Sequence, residues 1–139
     1  MSTIRPFIPE TDYPTLVSWW VRHKAVPLPI EILPQGWVIS SGGLDIAMQF
    51  LLLDVGGKFA VIEFLTTNPS VCYSRHLVDD VKALVAHIEG VAIKQGCNGM
   101  MSFIAPDSGE ERMMKRLGYY TGEGPCHRIY MKPLKKEGT

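Results

Sequence analysis

Glu63 has the clearest chemical promise in this chain. It lies in the apolar run Phe59–Leu65, on the same strand face as Val61 and Leu65. Withdrawing a carboxylate from water disfavours its charged form, so a half-buried Glu63 would hold a proton more tightly than usual and could take one from an ammonium group. A hydrogen-bonded glutamate facing solvent or a cleft is the competing reading. Cys72, Arg75 and His76 form a second cluster, ahead of a long helix where neighbouring cations would favour a thiolate. A small buried thiol is the alternative there. His23, His87 and His127 share no ligand-like spacing with one another or with Cys97 and Cys126, so no converging metal set is expected. Ser108 stands at the head of a short helix, where capping is already a sufficient task for its hydroxyl. Trp19 and Trp20 point about 100° apart on one helix. We expect Trp20 in the core and Trp19 as a partly exposed lid, with one of them available to a cleft or a homodimer contact.

The elements that must hold these side chains follow from the hydrophobic pattern. Ile4–Ile8 is a short extended run whose internal proline marks an edge strand or a strand end. Thr11 or Asp12 is expected to cap a helix that has Pro14 in its first turn and ends before Pro27. The proline-rich stretch Leu28–Pro34 reads as a stiff connection or a single helical turn. Three strands follow, Gly36–Ser41, Leu44–Asp54 and Lys58–Thr67, separated by Gly42-Gly43 and Gly56-Gly57. Glycine pairs between apolar runs signal hairpins, so this is an antiparallel meander. Both faces of Leu44–Asp54 are apolar, which predicts cover on both sides.

Leu77, Val81, Leu84, Ile88 and Val91 then step at helical spacing through a predicted helix, Ser74–Gln95, stopped by Gly96. A buried strand, Met100–Ala105, completes a strand–helix–strand unit with a parallel pairing. A short helix runs from Ser108 to Leu117, and Tyr119–Thr121 and His127–Lys132 are the closing strands, with Gly122–Pro125 as the loop between them. The whole reads as a mixed α+β fold, a predominantly antiparallel sheet with flanking helices. Residues 1–134 are expected to form one domain and Lys135–Thr139 a disordered tail.

Composition narrows the function classes. The chain has 139 residues, 46% hydrophobic, with 14 basic and 14 acidic side chains and a formal net charge of zero. That balance offers no field to condense onto nucleic acid. The most apolar run, Ile46–Leu53, is interrupted by Gln49 and falls far short of the ~20 residues that a spanning helix needs, so no membrane association is expected. Three widely spaced cysteines, without a CxxC pair, point to a reduced, cytoplasmic protein.

Several short stretches, taken in order, resemble the landmarks of GNAT-type acyl-CoA N-acyltransferases from Ile4 to Leu134. They are Ile4-Arg5-Pro6 followed by Asp12, Ala60–Leu65 followed by Thr66-Thr67-Asn68-Pro69, Gly96 at the end of the long helix, Lys115-Arg116-Leu117-Gly118-Tyr119, and the final Ile129–Lys132. The resemblance implies the acyl-CoA N-acyltransferase-like fold and acetyl-CoA-dependent transfer to an amine, on a small molecule or a protein, by direct attack on the thioester. It also implies roles. Glu63 would be the general base, and the backbone of Phe64, Leu65 and Thr66 would hold the pantetheine arm. Arg75 and the amides of His76, Leu77, Val78, Asp79 and Asp80 would face the pyrophosphate of coenzyme A. Ser108 would contact the cofactor, and the acceptor pocket would lie near Trp20 to Leu33.

Three departures from the family pattern stand out. The signature Q/R-x-x-G-x-G/A keeps Arg75, but Val78 and Asp80 replace its small residues. Asp79 and Asp80 are expected to set the protein's own negative charge against the helix dipole, where an incoming anion would meet repulsion. Met114 stands where many members carry a proton-donating tyrosine, and Tyr119 matches a position that is ordinarily structural. These departures suit an alternative, a non-catalytic binding or structural domain on the same fold within a larger assembly. Short chains of this kind also resemble proteins carried by bacteriophages.

Overall fold

The computed structural model describes residues 2–53, 56, 58–71, 75–104, 108–121 and 128–134, without the side chains of Arg75, Arg128, Ile129 and Met131. Its elements run β1 Ser2–Pro6, α1 Pro9–Arg22, a 3-10 turn Ile30–Ile32, β2 Gln35–Ser41, β3 Leu44–Leu53, β4 Phe59–Thr67, α2 Arg75–Lys94, β5 Gly99–Ile104, α3 Gly109–Arg116 and β6 Arg128–Pro133. The six strands form one sheet in the order β1-β2-β3-β4-β5-β6. The expected fold class is therefore observed, with β4 and β5 as the parallel pair and α2 as their crossover. Two compact units can be distinguished, Met1–Leu51 with Phe64–Val85 and Leu52–Glu63 with Ala86–Thr139.

In the first unit the hairpin chemistry is direct. Gly42 and Gly43 both take positive φ, 60° and 78°, as a tight two-residue turn requires. β2 and β3 pair antiparallel across them, from Ser41↔Leu44 to Gln35↔Leu51, with one register shift at Ile39/Ser40. β1 adds to the outer edge of β2, from Ser2↔Ser41 to Pro6↔Trp37, and its proline falls at the strand end. Leu16, Trp19 and Trp20 of α1 pack with Val38, Met48 and Phe50. Ala47 and Leu51 alternate with Met48 and Phe50 along β3, and all four are buried, so β3 is covered on both faces.

Two expectations for α1 are corrected. The helix starts at Pro9, with Ile8 as its N-cap and no capping side chain. Asp12 is not the cap. Its Oδ2 accepts the Ile8 N–H at 2.7 Å from inside the helix, and the carboxylate binds the Arg5 guanidinium through two hydrogen bonds of 2.7 and 2.9 Å. Pro9 at the first position made an earlier start possible, since its missing N–H needs no partner there. Trp19 is not an exposed lid: it is 5% exposed and Trp20 6%. Leu28 and Leu33, from the connector after α1, also pack on this cluster, and so the core reaches round both indoles. Neither tryptophan is left for a dimer contact.

In the second unit Ala60, Ile62, Met100, Ser102 and Ile104 are buried. Between them Phe59, Val61, Glu63, Met101 and Phe103 keep more exposure, the period-two alternation of strands with one covered face. Tyr119–Thr121 does not form the expected strand. Gly118 takes φ +89° and the Tyr119 N–H bonds back to the Met114 carbonyl at 3.0 Å, so this stretch closes α3, and only Tyr120 makes an isolated bridge. The expected roles of Cys72 and Ser74, the Gly122–Pro125 loop and the Lys135–Thr139 tail fall outside the described residues.

Candidate functional site

The parallel ladder between β4 and β5 covers Phe59↔Gly99, Ala60↔Met100 and Val61↔Met101. Beyond it a side chain takes over from backbone pairing. Glu63 Oε1 accepts the Phe103 N–H at 2.6 Å and the Ser102 hydroxyl at 3.3 Å. A carboxylate seated at the end of a strand pair, half-buried and held by a backbone amide, is oriented without being sealed off. A carboxylate is a proton acceptor of the kind that general-base chemistry uses.

The charge of Glu63 acts on a second carboxyl. Glu110, in the first turn of α3, is half-buried, and its carboxyl is pushed up to about 7, chiefly by burial and then by the charge of Glu63. Two carboxyls that disfavour each other's ionisation can hold a single proton near neutral pH. Glu110 was missed by sequence reasoning. Nothing local marks it, because its neighbour Glu63 arrives from a distant strand. Ser108 is the N-cap of α3, its Oγ accepting the Glu111 N–H at 3.1 Å, so capping occupies at least part of its hydroxyl.

On α3 the position that carries a proton-donating tyrosine in the resembling family holds Met114. Met114 is fully buried. Tyr119 donates its hydroxyl to Glu89 Oε1 at 3.2 Å, and Lys132 binds the same carboxylate at 3.1 Å while lying 5.5 Å from the Tyr119 ring centre. Burial first, then the charge of Glu89, drives that phenol far above its ordinary range. Tyr119 is a structural anchor. Deeper in the same unit, Tyr130 donates to Glu111 at 2.5 Å with both side chains buried.

Apart from Ser108, which belongs to the second unit, the residues expected to hold the cofactor belong to the first, Phe64–Thr66 and the start of α2. Phe64 has φ +60°, a left-handed conformation that non-glycine residues rarely adopt and that re-aims the backbone within β4. No sequence signal foretold it. Thr66 is buried, and its hydroxyl accepts the Trp20 indole N–H at 2.9 Å and donates to the Phe64 carbonyl at 3.0 Å. This chain fixes the bend from behind, while Leu65 stays half-buried.

At the head of α2 one expectation is overturned. The first turn carries no acidic side chain. Asp79 and Asp80 sit one turn further on, and Asp80 accepts the Ser2 hydroxyl at 2.5 Å, so they do not cancel the helix dipole at its amide end. His76 is exposed, Leu77 is buried and Val78 is half-buried. Arg75 contributes its backbone here, its side chain lying outside the described atoms. The first turn of α2 thus carries no acidic charge of its own, and Val78 stands where the family pattern has a small residue. The expected acceptor region, Trp20 to Leu33, is divided between core and surface. Trp20, Leu28 and Leu33 are packed in the core cluster, and Val21, Val26 and Ile32 of the same stretch are exposed, Val26 at 85%.

No family model and no curated protein matches the sequence. Solved structures do match in fold. N-acetylglutamate synthase from Neisseria gonorrhoeae, complexed with coenzyme A and N-acetyl-glutamate, aligns over 98% of this chain with 14% identity and a TM-score of 0.76. The chain spans only 36% of that enzyme. Ribosomal-protein-S18-alanine N-acetyltransferase from Escherichia coli aligns over 99% of this chain and 97% of its own, with 16% identity and a TM-score of 0.75. Ard1 from Thermoplasma volcanium aligns over 97% of this chain and 99% of its own, with 12% identity and a TM-score of 0.76. At such identities the likeness concerns architecture: the chain has the GNAT-type acyl-CoA N-acyltransferase fold.

Proposed function

We propose that the protein is an N-acyltransferase that transfers an acetyl group to an amine, carried by a small molecule or a protein, in the cytoplasm. The observation that carries this reading is the Glu63 carboxylate, held by the Phe103 N–H at the end of the β4–β5 ladder, immediately before the bent backbone of Phe64. Acetyl-CoA, when bound, supplies an acyl group activated as a thioester, which the amine attacks directly with loss of the thiolate. The backbone of Phe64–Thr66 would hold the pantetheine arm by strand-like pairing, and the first-turn amides of α2, with His76, would face the phosphates. Glu63 accepts the proton that the amine nitrogen must lose. Glu110, protonated near neutral pH, is the nearby group able to pass a proton on, in place of the missing tyrosine. The exposed stretch from Val21 to Ile32 is our candidate for the acceptor side.

A second reading is favoured by Met114 and Tyr119: the first cannot donate a proton, and the second is committed to Glu89. On it the chain is a non-catalytic binding or structural domain. Titration calorimetry with acetyl-CoA, followed by thiol release across a panel of amines, separates the two. Micromolar binding with amine-dependent thiol release that Glu63→Gln reduces by about a hundredfold supports the enzyme. Absence of binding heat, with an unchanged melting temperature, refutes it and leaves the binding domain.

A further inference from the structure

A different site lies at the other end of the strands that hold Glu63. Phe59 opens β4 and Gly99 opens β5, four residues before Glu63 and Phe103, or about 13 Å along the strands. Beside them is a cavity of about 290 Å³, walled by Lys58, Phe59, Asn98, Gly99, Tyr120 and the Lys132 strand. That volume suits a molecule of one or two rings.

Its lining is unusual in two respects. Phe59 is 47% exposed and Tyr120 56%, so two aromatic rings border the opening without a core to fill. A Cβ on Gly99 would sit 3.3 Å from the Phe59 ring, which shows how closely that ring lies against β5. The charges are also unequal. Lys132 is paired with Glu89 at 3.1 Å, but Lys58 makes no ion pair among the described residues. The cavity is therefore bordered by two exposed aromatic residues, by Lys58, whose ammonium makes no ion pair among the described residues, and by the exposed Asn98.

We propose that this cavity binds a small planar organic anion, its ring against Phe59 and Tyr120 and its carboxylate toward Lys58. Ring contact supplies shape and apolar burial, and the ammonium selects the charged form over a neutral isostere. The site is independent of the acyl-transfer reading, since it shares none of the residues assigned there.

The test is a backbone amide NMR titration of the full chain with indole-3-carboxylate and, separately, with the neutral indole-3-carboxamide. Saturable shifts are expected at Phe59, Asn98, Gly99 and Tyr120, with the carboxylate binding about fivefold more tightly than the carboxamide. Lys58→Gln should abolish that preference while leaving the carboxamide affinity unchanged, which also verifies folding. Tyr120→Ala should weaken both probes. Shifts that do not saturate by about 10 mM, shifts centred elsewhere, or equal affinity for the two probes would each overturn the proposal.

Discussion

Substituting Glu110 by glutamine should stabilise the protein at alkaline pH and leave it unchanged in acid. The Glu110 carboxyl rises from its ordinary 4.5 to about 7 in the folded chain, first through burial and second through the charge of Glu63. At 1.36 kcal/mol per pKa unit this amounts to about 3 kcal/mol, an upper bound because the half-buried group retains some water. The sign follows from proton binding. Between 4.5 and 7 the folded state binds more protons than the unfolded one, so stability falls as pH rises through that window and stays low above it. Glu110→Gln removes the ionisable group. Its melting temperature should equal that of the parent near pH 4 and exceed it by up to roughly 10 °C near pH 8. Differential scanning fluorimetry from pH 4 to 9 reads this directly. In a Glu63→Gln background the gap should shrink but persist, because burial is the larger cause. A gap that does not vary with pH, or one that vanishes entirely with Glu63→Gln, would refute the reasoning.

Three further outcomes are expected. Arg5→Met leaves the buried Asp12 carboxylate without its partner and should cost about 3 kcal/mol at neutral pH by urea unfolding. Arg5 holds the Asp12 carboxyl below its ordinary 3.8, so the pair stabilises above that value and the cost of Arg5→Met should shrink as pH falls through the lower folded value. Gln49→Met should raise stability by about 1 kcal/mol in the same assay, since the buried Gln49 Oε1 has no hydrogen-bond partner among the described residues. Val78→Gly should tighten coenzyme A binding by calorimetry, whereas Asp80→Asn should change it less than about twofold, because Asp80 sits beyond the first turn and is bound by Ser2. A larger gain from Asp80→Asn would restore the repulsion argument.

The elements written locally in the chain are legible in its sequence. The stepping of Leu77, Val81, Leu84 and Ile88 requires a helix because only a 3.6-residue repeat brings them to one face, and all four are buried on α2. Gly42-Gly43 requires a tight hairpin because few other residues take two successive positive φ values. The strand–helix–strand order implied the parallel pairing of β4 with β5. The placement of Glu63 in a strand was likewise readable, since its apolar neighbours alternate with it.

What escaped the sequence depends on contacts between distant segments. Asp12 looks like a capping residue, yet its role is decided by Arg5 on β1 and the Ile8 amide. Trp19 is buried because the connector carrying Leu28 and Leu33 packs on the same cluster as α1, something no helical wheel includes. The two aspartates of α2 lie outside the first turn because the helix starts at Arg75, and Ser2 on β1 engages Asp80. The proton affinity of Glu110 arises from burial and from a carboxylate on another element. Periodicity, turns and caps are properties of neighbours along the chain, so composition and spacing determine them. Burial, charge pairing and the left-handed backbone of Phe64 depend on which surfaces meet, and only the folded chain decides that.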